Sequence, residues 1–208
     1  MSAAREDGLD AEYAWPRPPE GGWTADDLDR LPNLPPHTEL IDGSLVFVSP
    51  QTRFRLRTIR LLEYALLSQA PDAYDVDREF SVRLDRRNRP EPDVLVYRAD
   101  ADTGPGQTWH HSDAVVLAVE VVSEDSEERD REVTPRKYAA AGIPHFWRVE
   151  QSQGLPVVYT YELDPATRAY SPTGIHHDRL KVTVPFPVVI DLTALNRRPP
   201  VVPPAQPS

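Results

Sequence analysis

AVVLAVEVVS (Ala114–Ser123) is an almost unbroken apolar run that carries a single charge, Glu120. A strand with one wet face alternates apolar and polar residues. A run without alternation fits a strand buried on both faces, in a sheet covered by helices. Glu120 is then the anomaly, because a carboxylate there is costly unless it is paired, protonated or bound to a cation. Just upstream, EPDVLVYRA (residues 91–99) is a second apolar strand, with Asp93 at its mouth. If the two strands are neighbours, Asp93 and Glu120 meet at one edge of the sheet.

Working outward, YDVDREFSVRL (74–84) reads as a further strand, joined to the Asp93 strand by the polar turn DRRNRP (85–90). HTELIDGSLVFVSP (37–50) is two strands joined at Asp42-Gly43, a strong hairpin signal. TRFRLRTIRLLEYALLSQAP (52–71) is the clearest helix, with Leu56, Ile59, Leu62 or Glu63, and Leu66 on one face and Pro71 closing it. Arg53, Arg57 and Arg60 share another face, read either as a solvated basic stripe or as phosphate contacts. TADDLDRLP (24–32) predicts a short helix capped by Thr24. After the charged EDSEERDREV (124–133), TPRKYAAAG predicts a helix with Thr134 as cap, Pro135 first and Gly142 as stop. PHFWRVE and PVVYTYEL add two strands, DPATRAY a turn, and LKVTVPFPVVIDL (180–192) late edge structure.

Strands before, between and after two main helices predict one α/β domain with a mixed central β-sheet flanked by helices, over 24–195. Residues 1–23 and the proline-rich tail 196–208 are expected to be disordered. The chain has 208 residues and 23 prolines but no cysteine, which excludes disulfides and thiolate metal sites and suits a reducing cytoplasm. No stretch approaches the ~20 apolar residues of a membrane span. A formal net charge of −10 argues against a protein that grips DNA by phosphates alone, unless a local patch does the work. The histidine pairs at 110–111 and 176–177 lie in loop-like sequence without metal-site spacing.

Paired carboxylates at strand ends suit Mg²⁺, a hard cation that takes oxygen ligands. Such an ion polarises a phosphodiester and lowers the pKa of an attacking water. Taken singly, the residues have plainer readings: Asp93 as a strand opener, Glu39 as a hairpin-flanking residue, Lys137 as an exposed helix residue.

The order ELIDG, SP opening a helix, PDVLVY, VEVVS, DR and KYAAAGIPHFWRVE resembles the Uma-two family, within the PD-(D/E)xK nuclease superfamily. The resemblance spans roughly 24–195. It implies a restriction-endonuclease-like fold, Mg²⁺ or Mn²⁺ dependence, phosphodiester hydrolysis on DNA and, by analogy, a homodimer. It makes Asp93 and Glu120 metal ligands and catalytic residues, with Glu39 as a further metal contact. The superfamily lysine falls at Val122, and the Uma-two lysine at Thr134; Lys137 and Arg136 stand close by on the same helix. Phe54 and Arg55 stand where the family often has histidine. Two readings stay open: Lys137 or Arg136 serves from a shifted position, or the lysine role is lost and the chain is a binding protein on a nuclease fold. A hydrolase of other phosphate esters is a third.

Overall fold

The structure, a computed structural model, describes residues 17–47, 50–123 and 127–196. In chain order its elements are β1 (Glu39–Ile41), β2 (Ser44–Val46), α1 (Arg53–Leu67), β3 (Tyr74–Arg78), β4 (Ser81–Arg83), β5 (Val94–Arg98), β6 (Trp109–His111), β7 (Val115–Val121), α2 (Thr134–Ala140), β8 (His145–Ser152), β9 (Leu155–Asp164), β10 (Ala169–His176), β11 (Arg179–Val182) and β12 (Val188–Asp191). The central sheet has six strands in the order β10-β9-β8-β7-β5-β3. It is mixed: β7 and β8 run parallel, joined through α2, and the other neighbours are antiparallel.

The apolar run falls where its pattern requires, with β7 between β5 and β8 and nearly every residue buried. Its alternate residues feed two cores. Leu117, Val119 and Val121 face Ile59, Leu62 and Leu66 of α1 and the β11–β12 hairpin. Ala118 and its neighbours Leu95 and Phe146 meet Tyr138 of α2 and Ile143. Glu120, in step with Ala118, therefore lies on the α2 face. Removing one such core side chain, as in Leu62→Ala, costs about 2–5 kcal/mol.

The hairpin forms as its sequence predicts, with Asp42 at φ 51° and Gly43 at φ 80° between β1 and β2. Both positive values mark the tight turn that Asp-Gly favours. Gly142 (φ 85°) stops α2 as expected.

Several local expectations change. TADDLDRLP forms turns rather than a helix; Asp27 Oδ2 accepts from the Thr24 amide at 2.8 Å and its hydroxyl at 2.7 Å, and the chain turns there. YDVDREFSVRL breaks into β3 and β4 at Glu79, whose φ is 49°. Thr134 is not a cap: it is already helical (φ −63°), because a π-helical turn over Arg129–Val133 runs straight into α2. α1 buries the expected Ile59, Leu62 and Leu66, but the stripe is headed by Arg55 and Thr58, and Leu56 is 53% exposed. β10 is an unforeseen strand that begins on the last two residues of DPATRAY, and His110 is buried in β6 rather than in a loop. Trp23 donates to the Gly43 carbonyl at 2.8 Å, which ties residues next to the expected N-terminal boundary to the hairpin. The expected disorder of 1–16 and of 197–208 lies outside the described residues. No helix among the described residues is long and apolar enough to cross a membrane.

Candidate active site

The antiparallel register Val94↔Val119 carries the chain outward to Asp93 and Glu120, so the two carboxylates arrive at the same sheet edge. The segment before β5 is anchored from behind. Arg89 and Leu40 exchange backbone hydrogen bonds at 2.8 and 3.1 Å. The Arg89 side chain is buried and donates to Asp29 Oδ2 (2.8 Å) and to the carbonyls of Ala25 (3.2 Å) and Thr108 (3.1 Å). This pairing aligns β1 beside residues 89–91, and Glu39 Oε1 accepts from the Glu91 amide at 3.0 Å.

Four carboxylates are thereby buried in one region: Asp93 (1% exposed), Asp130 (3%), Glu120 (4%) and Glu39 (6%). Asp93 is engaged through both oxygens. Its Oδ1 accepts from Arg55 Nε at 3.0 Å and Nη2 at 2.6 Å, and its Oδ2 from the Val121 amide at 2.6 Å. Glu120 Oε1 accepts from the buried Tyr138 hydroxyl at 2.7 Å. Glu39 Oε2 lies 3.8 Å from Arg129 Nη1, and Arg129 Nε lies 3.6 Å from Asp130 Oδ1.

Crowding sets the protonation. Burial, then the charges of Asp130, Asp93 and Glu39, push Glu120 well above the usual carboxylate range, with the Tyr138 hydroxyl opposing. Burial also raises Asp93, to about 7, against the pull of Arg55 and the Val121 amide. Glu39 moves up for the same first reason, with Arg129 countering. Burial works against the Arg55 charge, but Asp93 and then Glu120 more than offset it. Without a further cation, burial and mutual repulsion favour the protonated form of these carboxyls, Glu120 above all.

The donor set suits a hard divalent ion: it is all carboxylate oxygen, and Glu39 Oε2 is buried with no hydrogen-bond partner. Glu39, Asp93 and Glu120 are the residues that would hold one. Among the described residues, however, no three acidic or histidine side chains gather tightly around one point. Arg55 already stands as a cation against Asp93.

The other predicted residues are placed differently. Lys137 is not brought to the carboxylates: Nζ lies 2.6 Å from Asp42 Oδ1, while Tyr138, the next residue, reaches Glu120. Arg136 pairs with Glu132 on the surface. Arg53 and Arg60 are exposed on α1, and Arg57 donates to Asn196 Oδ1 at 3.1 Å. Arg55 and Asp130 are the two site members to which the sequence reading gave no role. Arg55 continues the buried stripe Leu66, Leu62, Ile59 by one more turn, which is the signal that would have found it. Asp130 is hidden among the charges of EDSEERDREV.

Beside Arg55 opens a polar cleft of about 600 Å³, lined among others by Gln51, Thr52, Val122, Ser123, Arg131 and Gln151. The Uma2 family, described as "Putative restriction endonuclease", matches residues 25–194. The chain belongs to the Uma2 family. Among solved structures, a "putative nuclease belonging to DUF820" from Anabaena variabilis shares the fold, with a TM-score of 0.56 at 15% identity, covering 78% of this chain and 89% of that one. No curated protein matches the chain. For a Uma2 member, the α/β fold with its mixed six-stranded sheet is the nuclease-like one that the resemblance implied.

Proposed function

We propose that this Uma2 protein is a divalent-metal-dependent nuclease that hydrolyses phosphodiester bonds of DNA. The observation that carries the proposal is the burial of Asp93 and Glu120 at one sheet edge, charge-coupled to Glu39 and Asp130, beside an open polar cleft. Buried like charges cost stability, and a fold that keeps four of them together supports a functional reason. Glu39, Asp93 and Glu120 would hold Mg²⁺ or Mn²⁺. When bound, such an ion polarises the phosphoryl group and acidifies a water. In the hydrolysis, a water oxygen bonds to phosphorus and one P–O ester bond breaks. The water proton is passed on, and the leaving oxygen ends protonated. Tyr138, whose hydroxyl donates to Glu120, would hold that carboxylate in position at the site. Arg53, Arg57 and Arg60 on α1 would meet flanking phosphates, and a homodimer in the cytoplasm is the working assembly.

The test is cleavage of plasmid and single-stranded DNA with Mg²⁺ or Mn²⁺, with Asp93→Ala and Glu120→Ala alongside. Metal-dependent nicking lost in both variants is the expected result. Absence of cutting by the wild type with either metal would overturn the proposal.

A second reading is favoured by one observation: both Asp93 oxygens are already engaged by Arg55 and the Val121 amide, while Val122 and Thr134 occupy the lysine positions. On that reading the chain binds its partner without cutting it. Mn²⁺ binding separates the two, since only the nuclease reading requires it through Asp93 and Glu120.

A further inference from the structure

The site has a surplus of negative charge and must meet an anionic phosphate, yet neither lysine position supplies a cation. Val122 lines the cleft and brings none. Thr134 is buried one turn before Tyr138. Lys137 is held by Asp42, and Arg131, the other cation lining the cleft, is shared between Glu127 and Glu150.

Arg55 is differently placed. It comes from the first turn of α1, which Thr52 caps by accepting from the Arg55 amide at 3.2 Å. Both its bonds to Asp93 converge on the same oxygen, through Nε and Nη2. That grip fixes the plane of the guanidinium and leaves Nη1 without a hydrogen bond among the described residues. The side chain is 10% exposed against 1% for Asp93, and the cleft is where it surfaces. A planar fork held by a carboxylate on one edge presents its remaining donors at a fixed position. The cleft wall also carries the neutral polar residues Gln51, Thr52, Ser123 and Gln151, and its two acids, Glu127 and Glu150, are both paired with Arg131.

We propose that Arg55 is the phosphate-binding and charge-stabilising residue of this site, holding a non-bridging phosphate oxygen of a nucleic-acid strand laid in the cleft between α1 and the end of β7. The inference rests on the nuclease reading for its substrate class. It takes the role that sequence alone assigned to Lys137 and gives it to a residue on a different helix. The guanidinium keeps its proton throughout; it stabilises charge and does not transfer protons.

The experiment uses the full chain and two readouts. Binding of a fluorescein-labelled single-stranded 12-mer DNA is followed by anisotropy with chelator and again with Ca²⁺, for wild type, Arg55→Gln, Arg55→Lys and the charge-matched surface control Arg98→Gln. Nicking with Mn²⁺ is measured on the same proteins. The expected result is about tenfold or greater loss of 12-mer binding in Arg55→Gln relative to Arg98→Gln, with partial recovery in Arg55→Lys. In nicking, kcat falls on the order of 10²-fold with a smaller change in KM. Folded Arg55 variants that bind like Arg98→Gln overturn the inference; should Arg55→Gln not fold, Arg55→Lys decides alone. If no protein cuts DNA but the Arg55 variants lose binding, the nuclease reading fails and the Arg55 assignment stands. If the wild type cuts and the Arg55 variants bind and cut like the control, the assignment fails and the nuclease reading stands.

Discussion

Raising the pH from 5 to 8 in the presence of chelator should destabilise this protein, against the usual trend for a chain rich in carboxylates. The sign follows from Asp93. Burial moves it from 3.8 to about 7, so the folded state keeps a proton that the unfolded chain has released. Stability is therefore lost as pH rises through that window, and the loss is complete above the folded value. At about 1.4 kcal/mol per pH unit, the two units between pH 5 and 7 correspond to roughly 3 kcal/mol from Asp93 alone. Glu120 and Glu39, also raised, add in the same direction. Asp27, Asp42 and Asp164 have the opposite sign, but their pKa values are lowered from 3.8, so their contributions are in place before pH 5. His37, raised by Glu91, loses stability with rising pH, while His145 and His176, lowered by burial, gain it. Asp93→Asn leaves these histidines intact, so comparison with it isolates the Asp93 carboxylate. The assay is urea denaturation of both proteins at pH 5, 6, 7 and 8. Against a typical total of ~5–15 kcal/mol the effect is large. Wild-type stability that is flat or rises with pH, or a pH slope identical in Asp93→Asn, would refute the account of the site. Adding Mg²⁺ at pH 8 should restore stability to the wild type but not to the variant, because a bound cation takes the place of the retained protons.

Three further outcomes follow from single contacts. Tyr138→Phe strips Glu120 of its hydroxyl partner inside the core and should cost about 1–3 kcal/mol by denaturation, with little change in the circular dichroism spectrum. Lys137→Ala removes only a pair with Asp42, whose side chain is 70% exposed, so stability should change by less than about 1 kcal/mol; DNA nicking should stay within about twofold of wild type, and a collapse of kcat would return the lysine role to Lys137. Gly43→Ala forces a side chain onto a backbone at φ 80°, with the new carbon 2.7 Å from Arg87 Nη2. It should lower stability by about 1–2 kcal/mol, read from the thermal midpoint.

The sheet was legible because its signals are long-range and redundant. AVVLAVEVVS lacks alternation over its whole length, and no single residue decides that it is central. The meeting of Asp93 and Glu120 needed only that β5 and β7 be neighbours, and they are. Glu39 followed from the resemblance rather than from its own context. The helices were less legible, because their phase turns on one residue. Choosing Leu56 rather than Arg55 as the head of the α1 stripe is a step of one position, about 100° around the axis. It sends an arginine to the surface that the fold in fact buries against Asp93. The same holds for α2. Read with Thr134 as cap, the helix begins too late and Lys137 seems free to approach the site. With the π-helical turn feeding into it, Thr134 and Tyr138 are the buried pair and Lys137 falls beside Asp42.

Arg55 and Lys137 thus differ in a way that composition cannot express. Both are cations on amphipathic helices, and the chain spends its burial on one of them. A guanidinium taken out of water is tolerated only against a matched acceptor, and removing one partner of such a pair typically costs about 3–5 kcal/mol. Asp93 meets that condition through Arg55 and the Val121 amide together. The ammonium of Lys137, more strongly hydrated and without a fork, stays at the rim with an exposed aspartate. A site that needs a fixed positive charge among four buried carboxylates, and that has valine and threonine at both expected lysine positions, is better served by the residue whose geometry is already locked. That physical preference, rather than proximity in sequence to the motif, is the ground for seeking the phosphate at Arg55.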